Sequence, residues 1–348
     1  MARIELWLQL ENQPWDLAPN GIDRATGESF TRDTSGMFKP LSGGALIFRR
    51  CAPNWTAPAD VKLNPWDLNE LEPALTRGTI PGATIELKVG DEAIIHFRNM
   101  DMRAGFSESE RTHSLHAHGV QHSVMYDGTY PISPPDPSQG NKQGDRVPPG
   151  GTFDYLFTVP HLSNAGVWMY HDHSMAAASS IARGAFGAIV VLAGGESRPI
   201  LPTQPLRVAS DSATHFANVP VPPAAGAHLF FLHELAGVGE CLNGHQRLGN
   251  TPSVIARTNT RVKFRVLNLT NRAQSFHLHG HRWKRGDDWV DTEVVGVGGG
   301  MSFEVLEGTA ETGGGNGEWM ISSPTSEVCG SLIVTDGGAL SLPIGAAA

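Results

Sequence analysis

The chain has 348 residues with 40 glycines, 24 prolines, 18% charged residues and a formal net charge of −9. That length suits about two domains with a substantial core, and the sparse, net acidic charge excludes a disordered chain and a phosphate-tracking nucleic-acid binder. No apolar run reaches the ~18–20 residues of a membrane-spanning helix. The opening MARIELWLQLENQPW has no leader pattern, and the three cysteines (Cys51, Cys241, Cys329) lack CxxC spacing, so a reducing, cytoplasmic location is expected.

In chain order, segments such as 83–97 (ATIELKVGDEAIIHF) and 261–267 (RVKFRVL) alternate apolar and polar residues. Period two is the mark of strands with one buried face. Turn residues separate the runs, no long stretch holds a 3.6 period, and the whole reads as all-β sandwiches with Greek-key connections. The long Pro/Gly stretch from Asp127 to Gly151 is a candidate lid, since loops of that length in compact domains are usually functional.

The halves repeat each other. Asn99, His116-Ala-His118-Gly119, Gly166-Val-Trp168-Met and Gly187-Ala-Ile-Val-Val191 recur as Asn268, His277-Leu-His279-Gly280, Gly317-Glu-Trp319-Met and Gly330-Ser-Leu-Ile-Val334. The expected layout is an N-terminal domain 1–195, a Gly/Pro-rich linker 196–205 and a C-terminal domain 206–348.

Fifteen histidines are present, and six form the pairs His116-x-His118, His171-x-His173 and His277-x-His279. Residues i and i+2 of a strand share a face, so each pair presents two imidazoles ~6–7 Å apart. One such pair is usually a polar face. Three, placed by a repeat and followed by small residues, point to a transition-metal site, and copper(II) heads the affinity order for imidazole.

These motifs, with Trp168-Met-Tyr-His171-Asp-His173, Phe276-His277-Leu-His279-Gly-His281, Asp291-Thr292 and the opening Trp15-Asp-Leu-Ala-Pro-Asn-Gly, resemble the multicopper oxidases of laccase and ceruloplasmin type in their short two-domain form. The resemblance implies two cupredoxin-like domains and a copper cluster shared between domains, in a homotrimer. It matches His116 and His277 to ligands of a type 2 copper, and His118, His171, His173 and His279 to ligands of a type 3 pair. It matches Asp127 to the acid that manages protons, although Asp127-Gly128 alone reads as a turn.

The pattern also breaks. The family's His-Cys-His motif falls on Ser322-Ser323-Pro324, which offers no thiolate or imidazole. Its type 1 histidines fall on Gln274 and Val328. In the first half His113 keeps the type 1 histidine spacing, but the cysteine position is Asp172 and the second histidine position is Ala177. His113 is then a remnant, an outer hydrogen-bond donor or an extra ligand. His122 and His281 stand near the pairs; by strand parity His281 shares the face of His277 and His279 unless Gly280 turns the chain, and the bland reading of both is an outer hydrogen-bonding or solvated histidine. Asp172 reads as a hydrogen-bond acceptor on the opposite face. Met169, Met175 and Met320 read as core, as do Trp168 and Trp319, while Trp283 is a candidate cleft residue.

The expected function is a copper-dependent oxidase without type 1 copper. It would use dioxygen on a small phenol, aminophenol or amine of specialised metabolism, with no nucleic-acid or membrane partner. The alternatives are a non-catalytic copper-binding relative and one half of a hetero-oligomer.

Overall fold

The computed structural model describes residues 2–56, 78–130, 142–196, 226–324 and 328–337, and the backbone of 200–202, 216–220 and 339–343. Two compact units emerge. Strands β1 (Arg3–Gln13), β2 (Ala45–Cys51), β3 (Ile85–Lys88), β4 (Glu92–Met100), β5 (His116–Ala117), β6 (Thr152–Thr158), β7 (Gly166–His171) and β8 (Phe186–Leu192), with the short helix α1 (Ala177–Ile181), build the first. Its two sheets run β2-β1-β4-β6 and β3-β8-β7-β5. In β4 alternate residues turn inward. Ile95 and Phe97 there, with Leu8, Tyr155 and Phe157, face Ile85, Tyr170 and Ile189 of the other sheet in one buried core.

The second unit contains β9 (Ile200–Pro202), β10 (Phe216–Pro220), β11 (Ala227–Leu235), β12 (Gly239–Leu242), β13 (Ser253–Arg257), β14 (Arg261–Leu269), β15 (Gln274–Leu278) and β16 (Trp283–Arg285). It continues with β17 (Asp288–Val290), β18 (Thr292–Val295), β19 (Gly300–Leu306), β20 (Gly317–Ser322), β21 (Cys329–Thr335) and β22 (Ala339–Pro343). Its sheets run β12-β11-β14-β19 and β13-β21-β20-β15-β18, and each strand order matches that of the first unit, with β18 added at the edge of the second sheet. The central β11·β14 pair is parallel like β1·β4, and β13·β21 is parallel like β3·β8. Phe230, Phe264, Phe276, Phe303, Ile321 and Leu332 fill the second core. The fold is therefore two cupredoxin-like β-sandwiches. Among the described residues no helix is long and apolar enough to cross a membrane.

Two boundaries differ from the expectation. Residues 15–42, expected in the N-terminal domain, belong to the second unit. Trp15 Nε1 donates to the Gly244 carbonyl at 2.6 Å, and Asn250 accepts from the Asn20 amide at 2.8 Å and donates to the Ile22 carbonyl at 2.6 Å. The expected linker also contains a strand, since β9 pairs with β11 in parallel. The middle of the candidate lid, 131–141, lies outside the described residues.

Candidate metal centre

In the first unit β5 and β7 are antiparallel neighbours with His116 opposite His171, while Ala117 opposite Tyr170 points into the core. The His118 amide extends the ladder to the Met169 carbonyl at 2.9 Å. Gly119 ends it at φ +72, where a Cβ would lie 2.0 Å from the Trp168 ring, so the residue after the pair must be glycine. Trp168 is fixed in turn by its Nε1 donating to the Asn164 carbonyl at 2.7 Å.

Three imidazoles converge as a result. One ring nitrogen from each of His116, His118 and His171 lies within 4.8 Å of the others. His173 joins them with ring centroids 5.2 Å from His116 and 5.5 Å from His171. His116 Nδ1 donates to the Asp127 carbonyl at 2.7 Å and His171 Nδ1 donates to the Asp172 carbonyl at 2.8 Å, leaving Nε2 of each as the free lone pair,. His118 Nε2 and His171 Nε2 face each other at 3.2 Å. Two nitrogens bonded at ~2.0 Å to one ion at a tetrahedral angle would be about 3.3 Å apart, so this donor set fits a transition metal.

The protonation states agree. Burial pushes His118 and His171 down to about 4, and neighbouring imidazoles add to it. Burial also lowers His116, against the pull of the Asp127 carbonyl and carboxylate. Neutral imidazole is the ligand form.

Asp127 Oδ1 lies 3.4 Å from His116 Nδ1 and 3.7 Å from His122 Nε2, and Oδ2 lies 3.5 Å from Lys142 Nζ. Burial raises this carboxyl, but the Thr129 hydroxyl and the charges of His116, Lys142 and His122 outweigh it and hold it below the ordinary carboxylate range. Lys142 carries no signal in the sequence. Its side chain is wholly buried and donates to the Thr129 carbonyl at 2.7 Å.

His113 is not a ligand. It is enclosed between two buried carboxylates, with Nδ1 2.7 Å from Asp172 and Nε2 2.9 Å from Asp101. Burial opposes its charge, yet Asp101 and Asp172 raise it to about 9. Asp172 also accepts from the Ser114 and Ser174 amides at 2.8 and 3.0 Å and from the Ser180 hydroxyl at 2.5 Å. The Ser114 hydroxyl accepts from the His173 amide at 3.0 Å, so this network clamps the segment carrying His171 and His173.

The second unit repeats this frame with half the ligands. His277 stands opposite Ser322, the position of His171 in the first unit. His277 Nδ1 lies 2.9 Å from the Asp291 carbonyl and 2.7 Å from the Thr292 hydroxyl, and its ring centroid is 4.5 Å from that of His279. His279 Nε2 lies 3.2 Å from the Ser322 hydroxyl. Gly280 turns at φ +71 with a Cβ position 2.3 Å from Trp319, as Gly119 does on Trp168. That turn breaks strand parity at His281. Its ring is buried instead, with Nδ1 2.8 Å from the His279 carbonyl and Nε2 2.8 Å from Glu307. Gln274 accepts from the Ser323 hydroxyl at 3.0 Å, occupying the positions that His113 and Asp172 hold in the first unit. Trp283 is core, 1% exposed and stacked on Phe303 at 3.9 Å, rather than a cleft residue. Of the three methionines expected in the core, Met169 is buried while Met175 and Met320 are 61% and 40% exposed.

Residues 62–195 match the family model described as multicopper oxidase. A probable nitrite reductase-hydroxylamine oxidoreductase fusion protein of Kuenenia stuttgartiensis is 27% identical over 255 residues, 72% of this chain and 26% of that protein. The ferroxidase HEPHL1 of Homo sapiens is 28% identical over 204 residues, 54% of this chain and 16% of that protein. Over residues 62–195, less than half of its length, the chain is similar to the multicopper oxidases. It spans about a quarter of the first of these relatives and about a sixth of the second. The solved copper nitrite reductase from Nitrosomonas europaea superposes with a TM-score of 0.59 at 15% identity, covering 98% of this chain and 96% of that one, which bears on the fold. Copper is the cofactor this family implies, and the imidazole set of the first unit suits it. Four of the positions matched to type 1 copper are filled by hydrogen-bonded pairs, His113 with Asp172 and Gln274 with Ser323.

Opposite pH limbs follow for the metal-free protein. His118 and His171 fall from 6.5 to about 4 on folding, so their contribution is intact above pH 6.5 and is lost as the pH falls toward 4,. His113 rises from 6.5 to about 9, so its contribution is intact below pH 6.5 and is lost as the pH rises through 9,. Urea unfolding from pH 4 to 9.5 is expected to show both limbs, and His113→Gln to flatten the alkaline one. An unchanged alkaline limb in that variant would contradict the assignment.

Proposed function

We propose that this chain is a copper-dependent oxidase that passes electrons from a small phenol, aminophenol or amine to dioxygen. The convergence of His116, His118 and His171, with ligand atoms within 4.8 Å of one another, carries the reading. Bound copper would supply one-electron redox chemistry and open coordination positions for substrate and dioxygen. His116 and His171 would hold it through Nε2, their Nδ1 protons fixed on backbone carbonyls. Asp127 would accept and return protons beside His116, with Lys142 holding that carboxylate in place. Without a thiolate at either type 1 position, substrate would bind beside the copper-holding histidines.

The proposal extends to a homotrimer in which His277 and His279 of another copy complete the ligand set. Its support is the pairing of a four-imidazole unit with a two-imidazole unit on one repeated frame.

The test is to load the chain with copper(II) and measure copper content, dioxygen uptake with 2-aminophenol, catechol and tyramine, and mass in solution. Copper-dependent uptake, no intense absorption near ~600 nm and a trimer are expected. Full copper loading with no uptake would favour a non-catalytic copper binder, and copper loading only after a second chain is added would favour a hetero-oligomer.

A further inference from the structure

A cavity of about 490 Å³ opens in the second unit, and none of the paired histidines lines it. Its size is that of a small-molecule cleft, ~300–1,000 Å³. Asp23, His245, Thr251 and Val328 are its buried members, and the exposed Arg247 lines it with Val238 and Cys329.

Three observations ask for a ligand. The Thr251 hydroxyl is buried, with the residue 2% exposed, and finds no hydrogen-bond partner among the described residues. Buried polar groups are ordinarily paired, so this one marks a place for a further partner. The Asp23 carboxylate is 3% exposed and lies 3.7 Å from Arg247 Nη1, beyond hydrogen-bond reach. Its other oxygen accepts from the Ala25 amide at 2.9 Å. Arg247 itself sits at φ +70, a conformation that costs a non-glycine residue and concentrates at functional sites.

We propose that this cavity binds a free α-amino acid. Its ammonium would donate to Asp23 and the Thr251 hydroxyl, and its carboxylate would take charge-assisted hydrogen bonds from Arg247. The side chain would lie against Val238 and Val328. A loosely spaced Asp23 and Arg247 suit a zwitterion that bridges them better than an amine or an acid, each of which leaves one protein charge unanswered.

Cys329 supplies a reporter, since Cys51 and Cys241 are buried and Cys329 is not. The test uses the full, metal-free chain. L-serine, L-leucine and L-phenylalanine are titrated by calorimetry beside phenethylamine and 3-phenylpropionate, and N-ethylmaleimide labelling of Cys329 is followed by mass spectrometry. At least one amino acid is expected to bind and slow the labelling. The best is expected to bind at least about tenfold tighter than either half-molecule, a difference of about 1.4 kcal/mol. Arg247→Gln and Thr251→Val should each weaken it about tenfold. Thr251→Val loses no existing hydrogen bond, so the variant should fold as stably as the parent, which separates binding from folding. Absence of binding by all three amino acids, equal binding by a half-molecule, or unchanged affinity in both variants would overturn the proposal. These readouts need no copper, so their failure leaves the oxidase reading untouched.

Discussion

Asp172→Ala is expected to destabilise the first unit by about 3–5 kcal/mol, the usual cost of removing one partner from a buried charge pair. The variant strands the His113 imidazolium with Asp101 alone and leaves the Ser114 and Ser174 amides without their acceptor. All of these groups are buried, so bulk solvent does not reach them to replace the lost partner. Asp172→Asn keeps an acceptor for the amides but removes the charge, so it should lose less stability and lose it mostly on the alkaline side, where His113 then deprotonates sooner. Because the same network reaches the His173 amide through Ser114, copper affinity should also fall about 10–100-fold, as it does when outer partners of metal ligands are removed. Urea unfolding of the metal-free variants and copper titration check both parts. A loss below about 1 kcal/mol would show that Asp172 does not carry the clamp.

His171→Ala is expected to lower copper affinity by more than about 100-fold, beyond the range for outer partners, because it deletes a ligand whose lone pair faces His118 at 3.2 Å. Its effect on folding should be smaller than that of Asp172→Ala, since it removes a buried but neutral ring rather than one partner of a buried charge pair. His281→Ala should behave in the reverse way. It leaves the Glu307 carboxylate buried without its imidazole, so stability should drop while copper content holds. Copper analysis of the two purified variants, beside thermal unfolding, separates a ligand from a core histidine. Equal copper content in both would remove His171 from the metal site.

Much of the architecture was legible because it rests on local patterns. Alternation in β4 and β14 marked the strands, and the recurrence of His-x-His-Gly with a tryptophan marked the repeat, which the structure explains by the ring of Trp168 or Trp319 lying against Gly119 or Gly280. What escaped depends on distant partners. Trp15 finds its acceptor in Gly244, and no local pattern announces a contact across so many residues. Lys142 went unmarked because nothing beside it in the chain reveals the Thr129 carbonyl or Asp127. His113 kept three readings open because Asp101, its second partner, carries no spacing signal. At His281 parity gives way to the turn that Gly280 left open, since that glycine at φ +71 redirects the chain. The acceptor role of Asp172 follows from parity alone, and the structure bears it out.

The claim on which the account turns is that imidazole nitrogens, and no sulfur, hold copper in this protein. X-ray absorption at the copper edge on the copper-loaded chain tests it directly. The account predicts a first shell of nitrogen and oxygen only, with multiple-scattering features of several imidazoles that weaken in His171→Ala. A sulfur atom in that shell, or a spectrum without imidazole that His171→Ala leaves unchanged, would contradict it.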